Sequence, residues 1–354
     1  MKLIEQRIVD AILAGQLDLL RFEAGVRAQV LGLLEKLRKE LRATLAQEDL
    51  TKLNKQRTAV LLKQTDTVIE QYYTQMQGAL DTALTGAAQA SAQQSVKALS
   101  LLAINMEIAL PTKTYLEKLA SNVLIFGAPS RDWWEKQGAD AAFRFSNSVR
   151  QGLLRNETNE QIVRRVVGDK MTDSSGNIWN AARANIRALV HSSVQAVSAE
   201  ARRETYRKNS DVVKGIEQHS TFDSHTTDVC IAYNGQQWDI DALEPMPGSS
   251  LPYNGGVPRH WNCRSAELPV LRSFRELGLD MDQPDVGTRA SSEGQIKADT
   301  TFEQWLSRRT EAQQDEQLGK GRAQLWRDGK ITLEQLLSLD GNPLTLAQLE
   351  KKYG

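Results

Sequence analysis

Three of the four histidines and both cysteines of the chain fall in one short segment, as His219, His225, Cys230, His260 and Cys263. The tightest grouping is Pro-Arg-His-Trp-Asn-Cys-Arg-Ser at 258–265, where His260 precedes Cys263 by three positions. Zn²⁺ takes tetrahedral sets of thiolate and imidazole. A His-x-x-Cys pair on one turn can supply two ligands, and Cys230, across the intervening loop, a third. His219, His225, Asp223 or Asp228 would have to serve as the fourth. Such a metal would staple a segment with too little core to hold its own loops. The same residues admit two other chemistries. Packed buried thiols, or a Cys230–Cys263 disulfide, are the default for two isolated cysteines and need no metal. A cysteine nucleophile with His260 as base needs a spatial pairing that nearness in sequence does not establish.

The residues around this cluster read as its supports. Asp-Ser-His-Thr-Thr-Asp at 223–228 is a polar turn in which Asp223 and Thr226 can bond nearby backbone N–H groups. Arg264, directly after Cys263, either pairs with Asp223 across the segment or stays solvated. Asn234-Gly235, between Val-Cys-Ile-Ala-Tyr and Gln-Gln-Trp-Asp-Ile, is the strongest hairpin signal in the chain. Trp238 and Trp261 are expected to supply apolar area to a thin core.

The elements that must position these residues are mostly helical. Proline is absent before Pro111 and between Pro129 and Pro245, then occurs five times from Pro245 to Pro269. Leu19, Phe22, Val26, Val30, Leu33 and Leu37 recur at helical spacing, predicting a long amphipathic helix whose apolar stripe requires a covering surface. Thr-Val-Ile-Glu at 67–70 and the Ala/Gln/Ser-rich stretch from Thr85 begin further helices. Ser130 or Asp132 is a candidate helix cap, and Thr158 with Gln161 a capping box. From about Val212 the texture changes to short mixed segments, and the tail carries further helical candidates, read as an appended helical hairpin. The expected architecture is mainly α: long N-terminal helices over 1–128 and a helical middle domain over 129–211, followed by a small Cys/His-containing α+β module with long loops over 212–272. A polar linker over 273–299 and a helical tail over 300–354 complete it.

The 354 residues carry 44 Lys+Arg and 44 Asp+Glu, so the chain as a whole has no net charge to draw it to nucleic acid or anionic membrane. Local basic clusters remain: Arg164 and Arg165, then Arg202, Arg203, Arg207 and Lys208. They are candidates for phosphate contact, with the solvated face of a helix as the plainer alternative. The amino-terminal stretch has acidic interruptions and no cleavage pattern, and no apolar run approaches the ~20 residues of a spanning helix. The expectation is a protein without a membrane segment, made in a cytoplasm.

The segments Thr-Phe-Asp-Ser-His-Thr-Thr-Asp-Val-Cys-Ile-Ala-Tyr-Asn-Gly-Gln-Gln-Trp and Val-Pro-Arg-His-Trp-Asn-Cys-Arg-Ser-Ala-Glu-Leu-Pro-Val resemble the phage head morphogenesis family, minor head proteins similar to the F protein of phage Mu. The family pattern falls on Asp223, Thr226, Cys230, Asn234, Gly235, Pro258, His260, Cys263 and Arg264, and the resemblance is best over roughly residues 130 to 272. His225 stands where members often have Arg, and Ser265 where many carry a further cysteine. The resemblance implies a low-copy virion component at the portal vertex of the head, acting in capsid assembly and in DNA ejection without catalysis. Its implied partners are the portal protein, scaffold or major capsid protein, and packaged DNA. Two alternatives stay open: a DNA-binding ejected protein, and a toxin or effector enzyme carrying the same module. Against the enzyme, residues 300 to 354 contain no histidine or cysteine.

Overall fold

A computed structural model describes residues 2–52, 54–102, 107–168, 178–223, 226–273, 275–277, 288–291, 294–297, 300–338 and 343–353. The chain is mainly helical with a small sheet region. In order the elements are α1 (Lys2–Gln47), α2 (Lys55–Leu99), α3 (Lys113–Asn122), β1 (Leu124–Ile125), β2 (Ala128–Pro129), α4 (Ser130–Leu154), α5 (Asn159–Val167) and α6 (Ile178–Lys208). There follow β3 (Val213–His219), α7 (Asp228–Tyr233), β4 (Gln237–Asp239), β5 (Ala266–Leu271), β6 (Thr288–Ser291) and β7 (Gly294–Lys297). The tail holds α8 (Phe302–Leu306), α9 (Glu311–Leu318), α10 (Lys320–Arg327), a 3₁₀ turn at Glu334–Leu336, and α11 (Leu346–Tyr353).

The compact units do not follow the linear division expected from composition. One comprises residues 19–88 and 114–197; the other comprises 1–18, 89–113 and 198–354, so α1, α2 and α6 each contribute to both.

The first unit is helical. Val26, Val30, Leu34, Leu37, Leu41 and Leu45 of α1 form a buried stripe at three- and four-residue steps, matched on α2 by Ile69, Tyr73, Met76, Leu80 and Leu84. The stripe expected to need a partner is therefore covered by the chain's own helices, and of its predicted members only Phe22 is exposed. Trp134 of α4 meets Tyr73 edge to face at 6.1 Å. A Cβ at Gly152 would lie 2.7 Å from Ile162, so the glycine permits the close approach of α4 and α5. Thr158 and Gln161 form the capping box of α5, as their spacing predicts. At α4 neither Ser130 nor Asp132 caps: Pro129 holds the N-cap position without a side-chain bond, and Ser130 lies buried inside the helix.

In the second unit β3 is the central strand of an antiparallel sheet ordered β4-β3-β5, with Ile216 opposite both Trp238 and Pro269. Trp238 is fully buried, stacks on Tyr233 at 5.9 Å, meets Tyr253 edge to face at 5.5 Å and donates its indole N–H to the Leu251 carbonyl at 2.9 Å. Trp261, in contrast, is 37% exposed and supplies no core. The register shifts between Val213 and Gly215, where a Cβ on Gly215 would lie 2.5 Å from the Trp238 carbonyl oxygen.

The tail packs on the module rather than standing apart from it. Phe302, Trp305, Leu306, Leu318, Leu325, Ile331 and Leu336 share one apolar cluster with Phe222 and Ile231. Thr301 and Thr310 each close a capping box and begin separate short helices, and α10 follows them, so the tail holds more and shorter helices than a simple hairpin. Within the expected linker, β6 and β7 pair antiparallel; residues 278–287 lie outside the described residues.

Candidate metal centre

Cys230 reaches the site on α7. Thr227 caps that helix, accepting from the Cys230 N–H, and Cys230, Ile231, Ala232 and Tyr233 are all buried. The Asn-Gly signal therefore ends a helix instead of turning a hairpin. Asn234 is the C-cap and accepts the Ser220 N–H at 3.0 Å through its side-chain oxygen; Gly235, at φ +80°, donates to the Gln218 carbonyl at 2.8 Å and leads into β4.

His260 and Cys263 come from the turn between β4 and β5. The Cys263 N–H donates to the His260 carbonyl at 3.1 Å, and Asn262 takes a left-handed φ of 62°, which asparagine tolerates. This folds the His-x-x-Cys pair back so that both side chains face Cys230. Cys230 Sγ lies 3.2 Å from His260 Nε2 and 3.6 Å from Cys263 Sγ, and all three donor atoms lie within 4.8 Å of one another. Tetrahedral zinc with ordinary bond lengths separates two sulfurs by about 3.8 Å and a sulfur from a nitrogen by about 3.5 Å. The observed spacings are a few tenths of an ångström tighter, and the donor set fits such an ion.

The tautomer also fits. His260 Nδ1 is 2.9 Å from the Trp261 carbonyl oxygen, which can only accept, so Nδ1 carries a proton and Nε2 is the nitrogen turned to the cluster. The two thiols share their acidity unequally. A hydrogen bond from Cys230 holds Cys263 well below the ordinary thiol range, with His260 adding to it against the cost of burial. Cys230 is pushed up by holding that bond, by burial and by the neighbouring negative sulfur. Burial pulls the His260 imidazole down, but the Cys263 side chain and the Trp261 carbonyl outweigh it and leave it raised.

The other motif residues frame the cluster. Arg264 grips Asp223 with two parallel bonds of 2.6 and 2.7 Å. Thr226 donates to the Thr221 carbonyl at 2.5 Å, and its N–H to the Asp223 carbonyl at 3.2 Å, closing the polar turn. Ser220 donates to the Cys230 carbonyl at 2.7 Å and accepts from Ser265 at 3.1 Å, so Ser265 is a hydrogen-bonding support of the turn. Pro258 follows a cis peptide bond.

Of the fourth-ligand candidates, His225 lies outside the described residues. Among the described residues the cluster contains Cys230, His260 and Cys263 alone, so His219 does not join it. Asp223 is committed to Arg264 and Asp228 to Arg322.

Two of the four candidate DNA contacts are corrected. Arg202 is 1% exposed and bonds Gln16 at 2.8 Å; Arg203 is buried between Glu200 at 2.6 Å and Glu267 at 3.7 Å. Neither can reach a phosphate without unfolding its surroundings. Arg165 pairs with Glu157, while Arg164 is exposed.

Two residues beyond the sequence reading hold the module together. Arg259 lies over the Tyr233 ring at 3.4 Å, donates to the Tyr253 carbonyl at 3.0 Å and also to Gln218; burial lowers its pKa. Glu267, buried on β5, accepts from the Tyr253 hydroxyl at 2.8 Å and the Val257 N–H at 3.2 Å. The signal for Glu267 was a charged residue inside an otherwise apolar strand; Arg259 stood in the motif segment without a partner that spacing could name.

Among the described residues no helix is long and apolar enough to cross a membrane. In comparisons with protein-family models, curated proteins and solved structures, nothing matches this chain.

Proposed function

We propose that this chain is a bacteriophage minor head protein, a low-copy structural component docking at the portal vertex and acting in capsid assembly and DNA ejection. The observation that carries the reading is the closure of the motif resembling the head morphogenesis family into one site. Asp223 meets Arg264, Thr226 meets Asp223, and Cys230 meets His260 and Cys263, although the motif spans 41 positions from Asp223 to Arg264. A spacing pattern that describes one constellation of contacts is what a structural module requires. The metal we assign to the centre is zinc: two thiolates and an imidazole are its preferred donors, and the ion would pin α7 to the 258–265 turn.

The reading is of an interaction component rather than an enzyme. The tail, the natural place for an effector, spends its apolar side chains on Phe222 and Ile231 of the module. For docking, the helical unit offers Leu124, Phe143 and Leu154, which are 61%, 70% and 83% exposed. Scaffold and major capsid proteins are further partners in this reading. Contact with packaged DNA is the weaker part, because Arg202 and Arg203 are buried.

The test is co-expression with the portal, scaffold and major capsid proteins of a tailed phage, followed by sedimentation. The expected result is co-migration with portal oligomers and assembled heads at a few copies each. A chain that sediments alone in the presence of assembled portals and heads overturns the reading.

A further inference from the structure

A structural zinc is closed by four protein ligands, whereas a zinc with three protein ligands keeps a position for water or another small ligand. Among the described residues the donor set of this centre is of the second kind. Among the described residues three donors converge, and the nearby carboxylates are bound elsewhere, Asp223 by Arg264 and Asp228 by Arg322.

The two sides of the cluster also differ. Cys230 and Cys263 are 2% and 1% exposed and pack against Ala199 and Val257, so apolar groups cover the cluster on that side, and Cys263 does not reach the cavity on the other. Cys230 and the half-buried His260 both border a cavity of about 220 Å³, counting the space at its mouth. Apart from the cluster, the cavity walls are Thr221, Thr226, Thr227, Asn262, Arg264 and Ser265. Every one is polar, and one is cationic with its charge shared by Asp223. Such walls suit water or a small anion and give an apolar ligand nothing to bury against.

We propose that Cys230, His260 and Cys263 hold one thiophilic divalent cation through three protein ligands, and that its fourth position opens into this polar cavity to take water or a small exogenous anion. The inference rests on the reading of the cluster as a metal centre. It departs from that reading in making the ion accessible to solutes.

The experiment uses the full chain loaded with Co²⁺, whose visible bands report coordination number and whose near-ultraviolet thiolate charge-transfer band reports the cysteines. Sodium azide is the probe, titrated against the wild-type chain and His225→Ala. The expected result is a cobalt complex with thiolate charge transfer whose visible bands shift saturably with azide, identically in both proteins. Cobalt bound with thiolate bands that azide does not move overturns the open position and leaves the metal reading standing. So does a His225→Ala chain that gains azide sensitivity the wild type lacks, since His225 would then be the fourth ligand. Failure to bind cobalt at the cysteines overturns the metal reading and this inference together.

Discussion

The side-chain amide of Gln317 donates to the main-chain carbonyl of Thr226 at 2.8 Å, joining α9 to the motif turn across 91 positions of sequence. It is one of several such ties. Arg322 pairs with Asp228, Gln236 donates to Glu334 at 3.0 Å, and Phe222 meets Phe302 edge to face at 4.9 Å. The tail is thus a clasp on the turn that carries Asp223 and Thr226, and the candidate metal centre is framed by elements from both ends of the module.

Removing the tail from residue 300 onward should therefore expose Phe222 and Ile231 and loosen the turn. Phe302→Ala alone should cost about 3–5 kcal/mol, the range for truncating a buried aromatic. Differential scanning calorimetry measures the cost. Limited proteolysis locates it, with new cleavage expected between residues 220 and 230. An unchanged melting profile on truncation would mean that the tail is an independent appendage.

Asp223 and Arg264 are partly exposed, at 22% and 36%, which limits what their attraction contributes. The paired, parallel bonds fix geometry as well as charge. A double-mutant cycle with Asp223→Asn and Arg264→Gln should give a coupling energy of about 1 kcal/mol by chemical denaturation. Arg264→Lys should recover little of it, because an ammonium cannot engage both carboxylate oxygens. Coupling indistinguishable from zero would reduce the pair to a surface contact.

Arg203 lies where two carboxylates and an aromatic ring meet: Glu200 at 2.6 Å, Glu267 at 3.7 Å and the Tyr253 ring at 5.1 Å. Truncating it to alanine leaves Glu267 buried without its cation and should destabilise the protein by about 3 kcal/mol. Retention on DNA at low salt should be unchanged in the protein that remains folded. A selective loss of DNA binding with unchanged stability would restore Arg203 as a phosphate contact.

How much of this was legible in the sequence depends on the range of the interaction concerned. The capping box of Thr158 and Gln161 is local, and it reads directly from spacing. The α1 stripe is also local, but what covers it is not: its periodicity cannot distinguish a neighbouring helix of the same chain from a partner. Asn234-Gly235 misled for an instructive reason. Val-Cys-Ile-Ala-Tyr has strand-like composition, yet Thr227 caps it as a helix and Gly235 serves its end. The His-x-x-Cys pair was visible as a motif. The partners of Arg259, Glu267 and Gln317 were not legible, because each is acquired only through tertiary folding.

Glu276 gives the module a pH dependence with a definite sign. The Ser273 N–H, then Lys214 at 3.0 Å and the Ser273 hydroxyl, lower its pKa from 4.5 to about 2. A carboxyl depressed in the folded state adds stability above its unfolded pKa and loses it as pH falls through the folded one. The contribution should be complete above about pH 5 and fade toward pH 2. Because the carboxylate is largely exposed, the effect is small and screened by salt. The stability difference between wild type and Glu276→Gln, followed by denaturant titration across that range, should shrink on acidification; a constant difference would refute the assignment.

The metal itself is the most direct test of the centre. Elemental analysis of chain purified under reducing conditions should find about one zinc per molecule, since the three donors can surround only one ion. Cys230→Ser and His260→Ala should each lose it. His260→Gln should not rescue binding, because an amide oxygen does not replace a nitrogen ligand whose partner is already oriented by the Trp261 carbonyl. Chelation should open the 258–265 turn to protease while leaving the helical unit of residues 19–88 and 114–197 intact, because that unit contains none of the ligands. In a cluster that is simply packed, chelation would change nothing: both thiols would titrate freely after unfolding, no zinc would be found, and Cys263→Ser would act as a modest polar substitution in a buried turn. The two outcomes differ in zinc content, in protease pattern and in the effect of chelator on melting.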